Sequence, residues 1–191
     1  MTINRASMVQ RLRNVVVILL LSLLSSVALA ESVIAEAKST SAEQSIADTY
    51  VRLEALGTAG AGLNSYQMAK ALALLDAARR EFYMRNHSAI VPEFIAAAQG
   101  ITLALEQQRV AGMDNPKYTD ASPVVPVLWQ RIERLKEQLT LQCTGALIAK
   151  AEVALLAAEN DRYLLGWRAA VGRISLAEQW IAEAEKVGSC Q

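Results

Sequence analysis

The sequence predicts an all-α protein: a bundle of about six helices, arranged as two tandem three-helix units behind an N-terminal signal peptide. Three observations predict it. Ala and Leu dominate, the 191 residues hold only 9 Gly and 4 Pro, and Val/Ile/Thr runs with strand alternation are few. That composition favours helices. Apolar positions such as Met68, Leu72, Leu75, Ala78 and Phe82 recur at three- and four-residue steps, which lines them along one helical face. Finally, AKALALLDAARREFYM (Ala69–Met84) returns as AKAEVALLAAENDRYL (Ala149–Leu164), eighty residues on.

The first element is a leader. Met1–Asn14 carries Arg5, Arg11 and Arg13 and no acid, the apolar run Val15–Leu24 follows, and the segment closes on Ala28-Leu29-Ala30. This is the layout of a secretory signal peptide cut before Glu31. The apolar run is about half of the ~20 residues that a permanent bilayer helix needs, although an uncleaved anchor is the alternative. No cysteine stands at the cut site, so a lipid-anchored form is not expected. The mature chain, 31–191, is long enough for one domain with one core.

Within it, a first helix is expected over 42–57, ending at Gly57, and GTAGAGLN is a glycine-rich loop. The second helix starts after Asn64 or Ser65, both good N-caps, and runs to about Asn86. Ser88 caps a third helix reaching about Val110, with Pro92 in its first turn, where its missing N–H removes no helical bond. Gly112–Ala121 links units of about 42–110 and 122–190. Ser122 caps the fourth helix, with Pro123 at its first position and an end near Thr140. Thr144 caps the fifth helix, Gly166 ends it, and the last runs from about Trp167 to Val187.

The repeat supports this division. At an offset of 80, residues 69–106 pair with 149–186, with identities Lys70/Lys150, Leu75/Leu155, Tyr83/Tyr163, Val91/Val171, Gln99/Gln179 and Ile101/Ile181. Seven further identities are Ala and are discounted, because Ala-rich helices match cheaply. YVRLEAL (Tyr50–Leu56) resembles WQRIERL (Trp129–Leu135) at an offset of 79. The order of matches is that of an internal duplication.

Charge narrows the partners. The chain has 19 Lys+Arg and 19 Asp+Glu; removing the leader with its three arginines leaves 16 against 19, a net charge of −3. The charges are interspersed, which argues against a nucleic-acid face and an electrostatic membrane site. An exported chain with two cysteines is expected to bridge them. Cys143 lies before the fifth helix and Cys190 after the sixth. Two antiparallel helices of similar length return the chain to one pole, so Cys143 and Cys190 meet there. Closing that loop contributes roughly 4 kcal/mol in the chain-entropy model. Two free thiols are the alternative.

Catalytic chemistry has little to stand on. His87 is the one histidine and sits in a turn, and no His/Cys cluster remains for a metal or haem, so neither a metal nor a cofactor is expected. GTAGAG has the wrong glycine spacing for a dinucleotide loop and follows no strand. Asp76, Glu81, Glu93, Glu152 and Asp161 are spaced as solvated helix faces. Asp76, among Leu74, Leu75, Ala77 and Ala78, is the candidate for an inward-pointing acid facing Arg79, Arg80 or a tyrosine, together with Tyr83 and Tyr163 as buried polar or ligand-binding residues; an exposed Asp76 paired at the surface is the alternative and the more common arrangement. Of Trp129, Trp167 and Trp180, Trp167 stands beside Arg168 at a hairpin turn, LGWRAA. Trp and Arg are enriched in binding hot spots, so Trp167 and Arg168 are the candidate partner patch. The structural alternative is that Trp167 plugs the bundle end and Arg168 covers its edge.

The succession AKALALLDAARREF, LWQRIERLK, a Cys, GWRAA, AEQWIAEAE and a closing Cys resembles a helical periplasmic region of some proteobacterial OmpA-family proteins. There the region precedes an OmpA-like peptidoglycan-binding domain. The matching residues are Ala69, Lys70, Ala71, Leu75, Asp76, Leu128, Trp129, Cys143, Gly166, Trp167, Arg168 and Cys190. The resemblance spans roughly Asn64–Cys190 and implies an envelope setting. It does not carry peptidoglycan binding over, because no OmpA-like domain follows Cys190 in this sequence. The expected function is therefore a non-enzymatic periplasmic module that binds or spaces a protein partner. The alternative is a helical small-ligand sensor or carrier.

Overall fold

A computed structural model describes residues 41–58, 65–86, 88–112, 115–116, 123–137 and 141–187. The leader and its cleavage site, His87, most of the linker, the Asn64 and Ser122 caps, and Cys190 lie outside the described residues. Those described are all-α, with six helices among them and no strand. They are α1 (41–58), α2 (Ser65–Tyr83), α3 (Ile90–Glu106), α4 (Pro126–Glu137), α5 (Leu141–Leu165) and α6 (Trp167–Val187). All but the first residue of α1 belong to one compact unit, Ala42–Gln191.

Helices α2 and α5 form the centre. They run parallel: Tyr66 of α2 abuts Gly145 near the start of α5, and Ser88, just past α2, hydrogen-bonds Asn160 near the end of α5. Around α2 pack α1 and α3, and around α5 pack α4 and α6. Each outer helix buries one stripe: Ile46 and Leu53 on α1, Leu128, Ile132 and Leu135 on α4, and Ala170, Ala177, Ile181 and Ala184 on α6. Helix α5 has a different character. It touches α2, α4 and α6 and is apolar on most sides, as a helix enclosed by neighbours must be.

Two ion pairs repeat across the halves. Arg52 of α1 grips Glu106 of α3 in a two-pronged pair (2.7 and 2.6 Å), and Arg131 of α4 grips Glu185 of α6 in the same way (2.9 and 2.6 Å). Both pairs span 54 residues, and they correspond at an offset of 79. In the central helices, the buried pairs Ala71/Ala151, Leu75/Leu155, Ala77/Ala157 and Ala78/Ala158 correspond at 80. The two halves thus share both helix order and matching contacts.

Several boundaries differ from the sequence expectation. Helix α2 stops at Tyr83 rather than Asn86, because Arg85 turns into the left-handed region (φ 56°). The N-cap of α3 is Ala89 rather than Ser88, although the Ser88 hydroxyl still accepts the N–H of Ile90, the first residue of the helix, at 3.5 Å. Helix α3 ends at Glu106, short of Val110, where Gln108 (φ 53°) reverses the chain. Helix α4 begins at Pro126 rather than Pro123, because Val124 is buried under the bundle and Val125 (φ 49°) turns before the helix can start. Helix α5 begins at Leu141, so Thr144 and Cys143 sit within its first turn instead of before it.

Candidate functional site

Three arrangements carry the polar chemistry of the fold. The first lies between α2, α4 and α5. Glu152 and Lys70 face each other in the core at 3.3 Å, with side chains 0% and 1% exposed. The Tyr66 hydroxyl donates to Oε2 of Glu152, and Lys70 Nζ donates to the Tyr66 oxygen at 3.1 Å. Lys136 of α4 donates to Oε1 of Glu152 at 3.0 Å and to Glu133 at 3.1 Å. Burial pushes the Lys70 ammonium below its ordinary range, with Glu152 opposing. Burial also acts to lower Lys136, but its two carboxylate partners outweigh it and the net shift is upward. Burial, reinforced by the Glu152 charge, drives the Tyr66 phenol far up. The cluster is a closed charge balance, with Glu152 as the acceptor for three donors.

The second lies between the C-terminal halves of α2 and α5 and the first half of α6. Arg173 of α6 bonds both Glu81 of α2 and Asp161 of α5, the latter at 2.5 Å. Asn86 donates to Glu81 at 2.8 Å, and its Oδ1 accepts the Ser88 backbone N–H at 3.0 Å. Glu81 and Asp161 correspond at the 80-residue offset, so one arginine ties the two halves together. Nearby, Glu159 accepts from Trp129 Nε1 (3.0 Å) and from the Val124 N–H (3.2 Å). Burial raises the Glu159 and Asp161 carboxyls, and their donors only partly offset it.

The third is the α5–α6 corner. Gly166 is its only connecting residue, at φ +88°, which an L side chain rarely adopts. The Gly166 N–H donates to Arg162 O (3.1 Å) and the Ala169 N–H to Gly166 O (3.2 Å). This corner holds Tyr163, Leu164, Leu165 and Trp167 exposed together; Leu165 is 72% and Trp167 54% exposed. Arg168 is exposed as well and has no ion pair among the described residues.

The candidates from sequence sort against this geometry. Trp167 and Arg168 lie together at the surface. Trp167 is 54% exposed and belongs to none of the core clusters, so it does not plug the bundle. Tyr83 and Tyr163 are not buried, which corrects that expectation, and Asp76 takes the surface-paired alternative rather than the inward one. The inward stripe of α2 is Ala71, Leu74, Leu75, Ala77 and Ala78; Asp76 falls outside it, accepting from Tyr50 at 2.5 Å and pairing with Arg79 at 3.3 Å. Tyr83 is 64% exposed and donates to Glu43 at 2.9 Å, and Tyr163 is 70% exposed. Both stand at the last turns of their helices, beyond the enclosing neighbours. The opposite correction applies to Glu81, Glu152 and Asp161, which are buried and ion-paired rather than solvated. A signal for Glu81 and Glu152 was their alignment with core positions at four-residue steps, Ala77 before Glu81 and Ile148 and Leu156 on either side of Glu152.

A cavity of about 330 Å³ lies between α2, α3 and the chain after α3, lined by Lys70, Leu74, Ile101 and Arg109 among others. Gln67 Nε2 holds its outer wall by donating to Ala111 O at 2.8 Å. Among the described residues, no group of three His, Cys, Asp or Glu side chains could hold a metal ion, and no helix is long and apolar enough to cross a membrane. The chain matches no protein-family model, and no curated protein or solved structure matches it.

Proposed function

We propose that the protein is a non-enzymatic module of the cell envelope, exported to the periplasm, that docks a partner protein through its α5–α6 corner. One observation carries this reading: Tyr163, Leu164, Leu165 and Trp167, four large apolar or aromatic side chains within five residues, are each exposed at one helix corner connected by a single glycine. Turns are ordinarily polar, and a concentration of exposed large apolar side chains at one corner is a feature of interaction sites. The buried charges support a structural role, since Glu152, Lys70, Glu81 and Arg173 are consumed in pairing helices to one another. The leader and the resemblance to the helical region of OmpA-family proteins support the envelope setting.

The test places a photo-crosslinking residue at Trp167, and separately at Glu137 on α4, in the full-length protein in its native host. The expected result is a specific protein adduct from position 167 and none from 137. Absence of any adduct from 167 rejects the reading. Two companion measurements address export. Mass spectrometry should find Glu31 as the first residue. The unfolded, unreduced protein should show no reactive thiol, as a Cys143–Cys190 bridge requires; no free cysteine occurs among the described residues.

A small-ligand sensor or carrier is the second reading, favoured by the cavity beside Lys70 and Arg109. It predicts that a bulky substitution at Ala104, inside that cavity, removes function while Trp167→Ala leaves it intact.

A further inference from the structure

Helices α3 and α6 correspond at the 80-residue offset, yet they differ sharply at one position. Residues 98–101 read AQGI and residues 178–181 read EQWI. Gln and Ile are the same on either side, and Gly100 stands where α6 carries Trp180. The positions one turn away on the same helix face also agree, Ala97 with Ala177 and Ala104 with Ala184. In the second half the Trp180 ring is half-buried and packs against the core of α4, α5 and α6.

In the first half that ring is missing and a cavity of about 330 Å³ lies alongside. Its walls are Ala97, Gly100, Ile101 and Ala104 of α3 together with Lys70 and Leu74 of α2. A Cβ at Gly100 would meet no atom within 4 Å, so no close helix contact requires the glycine, which costs helix stability relative to alanine. Leu74 stands where the second half has Ala154 and returns only part of the room that an indole takes. The chain after α3 closes the outer side, tied to α2 by the bond from Gln67 to Ala111. Gly100 is exposed at the rim, which leaves a way in from solvent. The volume and the apolar walls with few charged groups are those of a small-molecule site.

Resting on the small-ligand reading of this cavity, we infer that it binds a planar aromatic molecule of about indole size, seated over Gly100 where the second half places the Trp180 side chain. Ala97, Ile101 and Ala104 offer a ring apolar contact without side chains that stand in its way. Arg109 also lines the cavity, and its guanidinium bonds the neutral Gln107 at 2.8 Å. A cation beside the site favours the face of an aromatic ring over a saturated one.

Indole is titrated against the purified protein by calorimetry. Cyclooctanol, with the same number of non-hydrogen atoms but no aromatic face, is the control. The bound ring is located by nuclear Overhauser contacts. Indole should saturate, touch the Ala97 and Ala104 methyl groups, and bind about tenfold more tightly than cyclooctanol. Gly100→Trp supplies the ring covalently, as the second half does, and should abolish indole binding without lowering the melting temperature. Gly100→Ala should keep most of the affinity, because a methyl fills little of the space. Equal affinity for cyclooctanol overturns the aromatic assignment and leaves the small-ligand reading standing. Binding of neither probe, contacts elsewhere on the protein, or affinity indifferent to Gly100→Trp also overturns it, and the small-ligand reading then keeps its own test at Ala104. If Gly100→Trp does not fold, the contacts to Ala97 and Ala104 in the parent protein decide alone.

Discussion

Gly145 is where α2 and α5 come closest. A Cβ built there would lie 2.8 Å from Cβ of Tyr66 and 3.0 Å from its backbone, so neither helix can yield by moving a flexible side-chain end. Gly145→Ala gains helix propensity of up to about 1 kcal/mol, but overpacking costs about 1–3 kcal/mol. A net destabilisation is expected in urea melts. Gly172→Ala on α6, where nothing lies within 4 Å, should instead stabilise by about 0.5–1 kcal/mol. Glu159 supplies a pH test at the same scale. Its folded pKa is raised by burial, so the folded state binds the extra proton and the stability tied to it is fully present below the ordinary value of 4.5. That contribution is lost as pH rises through the folded pKa. Glu159→Gln keeps an acceptor for Trp129 and Val124 without the charge. The variant should exceed the parent in stability at pH 7, and the gap should close as pH falls below about 4.5.

Between elements, the decisive contacts are buried charge pairs across α2, α4, α5 and α6. Glu152→Gln leaves Lys70 buried beside a neutral amide and removes one of the two acids that hold Lys136. A loss of about 3–5 kcal/mol is expected from breaking one side of a buried pair. The joint change Lys70→Met with Glu152→Met removes both buried charges, while Lys136 keeps Glu133. It should therefore recover most of the loss, as chemical denaturation of the three proteins would reveal. Recovery no better than the single variant would mean that the pair does more than cancel its own burial cost. The paired Arg52–Glu106 and Arg131–Glu185 contacts are partly exposed, so each contributes little despite its regular placement.

For the whole molecule, the two halves share helix order but are not independent folds. The core around α1, α2 and α3 includes Val153, Leu156 and Ala157 of α5, and Tyr66 of α2 belongs to the core of the other half. A fragment spanning 42–110 would expose the α2 face that α5 covers and leave Lys70 without Glu152. It should remain largely unfolded alone by circular dichroism and regain helicity when mixed with a fragment spanning 122–191. An independently folded 42–110 fragment with a cooperative melt would reject this coupling. Thermal unfolding of the intact chain should correspondingly be a single transition.

Local information was enough for the helices themselves. Ala/Leu composition, apolar steps of three and four, and glycine-rich breaks act within a few residues, so the class, the order of six helices and the corner at Gly166 were legible without coordinates. The repeat also announced two related halves, and LGWRAA marked the corner where Trp167 and Arg168 stand exposed. Which acids are buried was not legible, because burial depends on what a neighbouring helix brings. Asp76 and Glu152 both sit in Ala/Leu-rich surroundings; α1 offers Asp76 a tyrosine at the surface, whereas Tyr66, Lys70 and Lys136 converge on Glu152 inside. The helix start at Pro126 was missed for the same reason, since buried Val124 and the turn at Val125 outweighed the local capping signal. The sequence by itself determined the periodicity that makes each helix. Only the tertiary structure decided which charges those helices enclose and which apolar corner they leave outside, because desolvation is a property of the assembled neighbours.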